Sequence, residues 1–177
     1  TGKLAYVQID GTENSQRKFR IFVSDSDGSN AIPIMTADHA LIASCCIMGG
    51  PHWSPDGSQV IFYSIGANGN GYDIFRMQAD GSSLINLTSL ANAPACSDDM
   101  NPVWSPDGSA IAYKAQIHCG GDLANYEMLP DGSGKTPSTS YDAWQTRWAP
   151  DGTMFVFADS DGLWSRTSDG LTSTLIV

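Results

Sequence analysis

Trp53-Ser54-Pro55-Asp56-Gly57-Ser58 decides how this chain is read, because the stretch comes back twice. It returns as Trp104-Ser105-Pro106-Asp107-Gly108-Ser109 and again as Trp148-Ala149-Pro150-Asp151-Gly152-Thr153. The tryptophans are separated by 51 and 44 residues. Recurrence at such a period marks a stack of similar modules, each hiding its apolar face against the next. Within each copy Pro presets φ and Gly tolerates a positive φ, so Pro-Asp-Gly reads as a tight turn between strands.

Working outward from the first copy, Pro51 to Ser54 reads as a short strand and Gln59 to Ser64, β-branched and aromatic, as a second. A Gly/Asn loop, Ile65 to Gly71, precedes a third strand, Tyr72 to Gln78. Ala79-Asp80-Gly81-Ser82 carries the Asp-Gly hairpin signal, and Leu84 to Thr88 follows as the fourth strand. The next module repeats the plan with Val103-Trp104, Ala110 to Lys114, Tyr126 to Leu129 and the turn Asp131-Gly132. The last has Arg147-Trp148, Met154 to Ala158, Leu163 to Arg166, Asp169-Gly170 and Ser173 to Val177. The first module lacks an opening strand. Gly2 to Val7 aligns there with Gly57 to Phe62, followed by Phe19 to Ser24, Asp27-Gly28 and Ala31 to Ile34. Fifteen strands are predicted, and only Thr36 to Met48 has room for a short helix.

Four strands per module with a turn at each step is the plan of a β-propeller blade. The expectation is an all-β propeller of about four four-stranded blades, the first lacking its inner strand. It forms one domain over 1–177, with repeats near 1–36, 51–88, 101–139 and 145–177. Trp53, Trp104 and Trp148 are expected to pack between blades. Asp56, Gly57, Asp107, Gly108, Asp151 and Gly152 are expected to shape turns rather than sites.

Trp-Ser-Pro-Asp-Gly, then an Ile-Ala-Tyr-like strand, then Tyr-Asp-Ile-Phe-Arg-Met, Asp-Gly-Ser and Leu-Thr, resembles the TolB-like (WD40-like) β-propeller repeat family. The resemblance covers nearly the whole chain. It implies a propeller, function by binding, and a periplasmic or secreted location. Fold alone does not choose the partner. Propellers of this kind usually have six or more blades, so three expectations stay open. The chain is part of a longer propeller, a compact four-bladed ring, or a unit completed by neighbouring copies into a ring or filament.

Composition narrows the function classes. The 177 residues carry 19 acidic against 9 basic side chains, a net charge of −10. Nucleic acid needs a Lys/Arg footprint, so it is excluded as a partner, as are anionic membrane surfaces. No apolar run approaches the ~18–20 residues of a membrane span. Without an initiator Met or a signal peptide, the chain reads as a processed product or a fragment.

Alternating strands place the Pro-Asp-Gly and Asp-Gly-Ser turns on one face and the long loops on the other. Cys45, Cys46, Cys96 and Cys119 all fall on the long-loop face. A disulfide from Cys96 to Cys45 or Cys46 is expected, with Cys119 bonded to the other. Reduced thiols, or a zinc site with His118 that lacks Cys-x-x-Cys spacing, are the alternatives. No other motif carries chemistry. Gly134-Lys135-Thr136 lacks the P-loop's first Gly, with Leu129 in its place, and Pro137 opposes a following helix. Asp25-Ser26-Asp27-Gly28 and Asp159-Ser160-Asp161-Gly162 have only a partial calcium-loop pattern. Gly-x-Ser-x-Gly is missing, and His39, His52 and His118 are scattered, His52 as a channel-lining or packing residue. Asp98-Asp99 reads as a solvated loop pair, and Asn86-Leu87-Thr88 as a chance sequon.

The function expected is therefore a non-enzymatic scaffold binding a protein or glycan, with no cofactor beyond a minor calcium alternative. Its alternatives are a self-assembling subunit and the propeller portion of a larger hydrolase or lyase.

Overall fold

The computed structural model describes residues 2–10, 18–36, 42–47, 49–66, 69, 71–89, 98–116, 123–137, 144–159, 161–167 and 172–176. Side chains at 10, 18, 36, 42–47, 144–146 and 159 lie outside that description. Sixteen strands and no helix occur among the described residues. β1 (Lys3–Asp10), β2 (Lys18–Asp25) and β3 (Ile32–Thr36) form the first sheet. The second holds β4 (Ile42–Ile47), β5 (His52–Trp53), β6 (Gln59–Gly66), β7 (Tyr72–Gln78) and β8 (Ile85–Asn86). β9 (Asp99–Trp104), β10 (Ile111–Gln116), β11 (Leu123–Met128) and β12 (Thr136–Pro137) make the third. β13 (Trp144–Trp148), β14 (Met154–Asp159), β15 (Gly162–Thr167) and β16 (Ser173–Leu175) make the fourth. Every pairing is antiparallel, and each sheet runs in chain order. These are the blades, and among the described residues the first has three strands, β1-β2-β3.

Three expectations need correction. The stretch with room for a helix contains strand β4, which pairs with β6 through Ile42 and Ile47. The inner strand of blade two is thus longer than expected and split, β5 continuing along β6 after Gly49-Gly50-Pro51. This is why sixteen strands replace fifteen. Cys45 and Cys46 accordingly lie on a strand, not a loop. Inner strand β9 likewise begins at Asp99, inside the stretch assigned to a loop.

The alignment of blade one is also displaced by one residue. Lys3 pairs with Asp25 and Gln59 with Gln78, each partner standing two residues before its Asp-Gly turn. Lys3, not Leu4, is therefore the counterpart of Gln59. Side chains alternate along a strand, so a one-residue slip exchanges the two faces. In the true register every blade carries an aromatic pair at one rung: Tyr6 with Phe22, Phe62 with Phe75, Tyr113 with Tyr126, and Phe157 with Trp164. The first two pairs stack with ring centroids 5.7 and 5.5 Å apart.

The core lies between blades. Ile21, Val23, Ile34 and Met35 of blade one meet Val60, Phe62, Phe75 and Met77 of blade two, with Trp53 packed alongside. Ile61, Ile74 and Leu87 on the other side of blade two meet Trp104, Ile111, Tyr113 and Met128 of blade three. Full burial of each such side chain contributes about 1.5–3 kcal/mol. A smaller cluster joins Trp148, Phe155, Phe157 and Trp164 within blade four. The indole N–H groups of Trp53, Trp104 and Trp148 are buried without an acceptor, so these rings contribute through apolar area alone.

The turns clip neighbouring blades together. Gly81, at φ 85°, lies against the backbone of Ile34 in the preceding blade, and a Cβ there would sit 2.0 Å from the Ile34 carbonyl oxygen. Gly132, at φ 86°, repeats the contact on the Leu87 carbonyl, at 2.7 Å. Gly28 has the same backbone at φ 82°, but a Cβ there would meet no atom within 4 Å. Gly28→Ala should therefore cost about 1–2 kcal/mol, from the left-handed backbone alone. Gly81→Ala should cost about 3 kcal/mol or more, because the blades must also part. Urea unfolding of dilute protein compares them, and equal losses would rule out the inter-blade clip.

Candidate functional site

Inner strands line the axis of a propeller, and the motif tryptophan sets their register. The residue before it is His52, Val103 or Arg147. All three border one cavity of about 240 Å³, enclosed by blades two, three and four. Gly50 and Asn101, two residues further back, border it too, as a period of two requires. Tyr63, Tyr113, Lys114 and Asn125 close the wall from the second and third strands. Asn101 stands at φ 54°, a conformation Asn tolerates better than most residues.

The charge of this cavity is opposite to that of the chain. Lys114, Arg147 and His52 line it, and no Asp or Glu is among its described lining residues. Lys114 is only 9% exposed, an unusual placement for a lysine. Partial burial, with the Arg147 charge added, pushes the His52 imidazole below its ordinary range. Such a pocket favours a negatively charged ligand, and its low-dielectric walls strengthen the attraction.

Beside it, at the seam of blades two and three, lies a second polar group. Asn86 donates from Nδ2 to Asp73 Oδ2 at 2.8 Å, and the Ile74 N–H donates to Thr88 Oγ1 at 2.9 Å. Tyr72 N–H reaches across the seam to Asp98 Oδ1 at 3.0 Å. Burial raises the Asp99 carboxyl to about 6, despite a hydrogen bond from Thr88 and the charge of Lys135. Burial, with Asp99 nearby, also pushes the Tyr113 hydroxyl up. Asp98-Asp99 is thus no solvated loop pair. The extra length of β9 carries Asp99 into the seam, where sequence reasoning missed it.

The other named residues fall elsewhere. Ser54 Oγ donates to Asp56 Oδ1 at 2.5 Å and accepts from the Gln59 N–H at 2.9 Å. Ser105 and Asp107 repeat the network at 2.7 Å, and the Ser hydroxyls hold both carboxyls down at about 2. Ala149 removes that donor, and Thr153 alone keeps Asp151 low. Asp25 accepts from Lys3 at 2.6 Å and from Asn30 at 2.7 Å, while Asp27 accepts from Ser29. The oxygens of that partial calcium loop are therefore engaged by N–H and O–H donors. Cys96, Cys119, His39 and His118, the side chains of Cys45, Cys46 and Asp159, and Ser160 lie outside the described residues, and with them the disulfide and zinc expectations. Among the described residues no group of three or more His, Cys, Asp or Glu could hold a metal. No described helix is long and apolar enough to cross a membrane.

The architecture defines a class, the partial β-propeller, and comparison with known proteins gives its type. No known family model matches the chain. A stretch of 63 residues is 33% identical to the Tol-Pal system protein TolB of Coxiella burnetii, covering 35% of this chain and 13% of that protein. The crystal structure of TolB from Acinetobacter baumannii superimposes with a TM-score of 0.75 at 19% identity, over 99% of this chain and 41% of that one. The oligogalacturonate lyase of Vibrio parahaemolyticus superimposes at 0.70 with 18% identity, over 97% of this chain and 50% of that one. The chain has the TolB-like propeller fold and spans at most half the length of these three relatives.

Asp99 yields a pH dependence. Burial pushes its carboxyl up to about 6 in the folded chain, against 3.8 for an exposed aspartate. The folded protein thus holds a proton that the unfolded chain has lost between about pH 4 and 6. Stability falls as pH rises through that window. Asp99→Asn should accordingly stabilise the protein by about 3 kcal/mol at pH 7, and by nothing below about pH 4. Urea midpoints at the two pH values measure this, and a pH-independent difference would remove the buried charge as the cause.

Proposed function

We propose that this chain is a non-enzymatic, extracytoplasmic interaction module whose axial pocket receives an acidic segment of a protein partner. The observation that carries this is the placing of Lys114 and Arg147 on one cavity with no Asp or Glu among its described lining residues, in a chain of net charge −10, with the His52 imidazole held neutral beside them. At physiological ionic strength charges are screened over about 8 Å, so a carboxylate in the pocket responds to these groups more than to the distant turn aspartates. The TolB-like fold supports a binding role, as does the similarity to the Coxiella protein, a member of the Tol-Pal system. A short Glu-rich peptide labelled with a fluorophore is the probe. Anisotropy should report saturable binding that weakens at least tenfold in Arg147→Glu, whose side chain is exposed. Binding that ignores this substitution would overturn the assignment.

A second function is favoured by the same pocket and by the lyase relative. Here the chain is the propeller portion of a larger lyase acting on an acidic glycan. Incubation with oligogalacturonate separates the two. Unsaturated-product absorbance would establish the enzyme, and failure of oligogalacturonate to compete with the labelled peptide for the pocket would remove the lyase reading. No metal is assigned to the binding step, and added calcium should leave the melting temperature unchanged. A calcium-dependent rise would show instead that the Asp25–Gly28 turn takes the ion.

A further inference from the structure

The inner strand of blade two breaks where it passes the axial cavity. Ile47 pairs with Ser64, and pairing resumes with His52 opposite Ile61. The inner strand thus spends four residues where β6 spends two, a bulge of the kind that re-aims neighbouring side chains. Gly49, within the break, is buried. A Cβ on it would lie 1.6 Å from Cε1, 2.1 Å from Cδ1 and 2.5 Å from Cζ of Tyr63. Unlike Gly81 and Gly132, Gly49 has a φ outside the left-handed region, so its backbone would accept an L residue. The Tyr63 ring is what demands glycine here.

Tyr63 follows the aromatic rung of blade two, and Lys114 holds the same place in blade three. Both line the axial cavity. The ring is hemmed in elsewhere. Tyr72 meets it edge-on with centroids 5.8 Å apart, and the seam cluster of Ile61, Ile74 and Trp104 packs against it. A ring pushed off Gly49 is therefore directed into the cavity of about 240 Å³ that it borders. Rotation about its own side-chain torsions accomplishes the move and leaves the backbone in place. Such a shift takes room from the pocket and leaves the charges of Lys114 and Arg147 where they are.

We propose that Gly49 is a specificity-determining residue of the axial pocket. By carrying no side chain it lets the Tyr63 ring stand back, and the clearance so left admits an acidic side chain to Lys114 and Arg147. The charges of the pocket set the sign of its ligand, and Gly49 sets how large a group reaches them. This role rests on the acidic-segment reading of the pocket and adds to it the residue that controls entry. The contact lies wholly within blade two, between its inner strand and β6.

A double-mutant cycle with the labelled Glu-rich peptide tests it on the 177-residue chain. Gly49→Ala should weaken peptide binding at least tenfold while the protein keeps its cooperative urea transition. In a Tyr63→Ala background no ring remains to be displaced, so adding Gly49→Ala should change affinity by less than about twofold. Tyr63→Leu supplies a second ringless background if the first fails to fold. A crystal structure of Gly49→Ala should place the ring inside the cavity, and that result does not depend on the peptide. If the wild-type protein binds no peptide, the acidic-segment reading falls and the ring position alone decides the part played by Gly49. Unchanged binding in Gly49→Ala would overturn the proposal. So would a loss that persists without the ring, or a ring that moves away from the cavity. Failure of Gly49→Ala to fold would overturn it too, because the cavity would then have no room for the ring.

Discussion

A blade is a thin antiparallel sheet with an apolar layer on both sides, and only another blade can bury either layer. Everything else in this structure depends on that constraint. Phe62 and Phe75 are buried because blade one covers them, and Ile61 and Ile74 because blade three does. The two larger clusters both lie between blades, so stability there is a property of seams between repeats. The seam is held by non-directional burial, and direction comes from the glycine turns, which admit one neighbouring backbone at close range.

The recurring hexapeptide is the device that makes those seams regular within this chain. Its serine and aspartate form a closed hydrogen-bond network inside the turn. Its proline rests on the glycine of the next copy: a Cβ on Gly108 would stand 3.6 Å from Pro55, and one on Gly152 3.7 Å from Pro106. Its tryptophan enters the apolar layer. One short motif thereby fixes a turn, a neighbour and an inner-strand register together. The wall of the axial cavity follows from that register, because the residue before each tryptophan borders it.

Polar groups gather where the seam and axis meet. Asp99, Asp73 and Thr88 sit between blades two and three, and Lys114 stands on the adjoining wall. Unlike the turn aspartates, whose donors keep them ionised in water, Asp99 is desolvated more strongly than its donors compensate. The seam nearest the pocket is therefore less than optimally stable near neutral pH.

The amino-acid sequence by itself determined the repeat, the turns, the strand content and the propeller class, because these depend on local chemistry at fixed spacing. It also marked His52 as a candidate for the channel, since alternation from Trp53 is a local rule. Tertiary structure alone decided the rest. The register of blade one rests on pairing between Lys3 and Asp25, partners 22 residues apart, and local pattern could not exclude a one-residue slip. β4 forms on a stretch without strand alternation because the edge of β6 supplies its hydrogen bonds. Lys114 and Arg147 join His52 only when three blades converge, and Asp99 acquires its raised pKa only once a neighbouring blade removes its water. Local composition describes one blade, whereas cavities and buried charges exist only between blades.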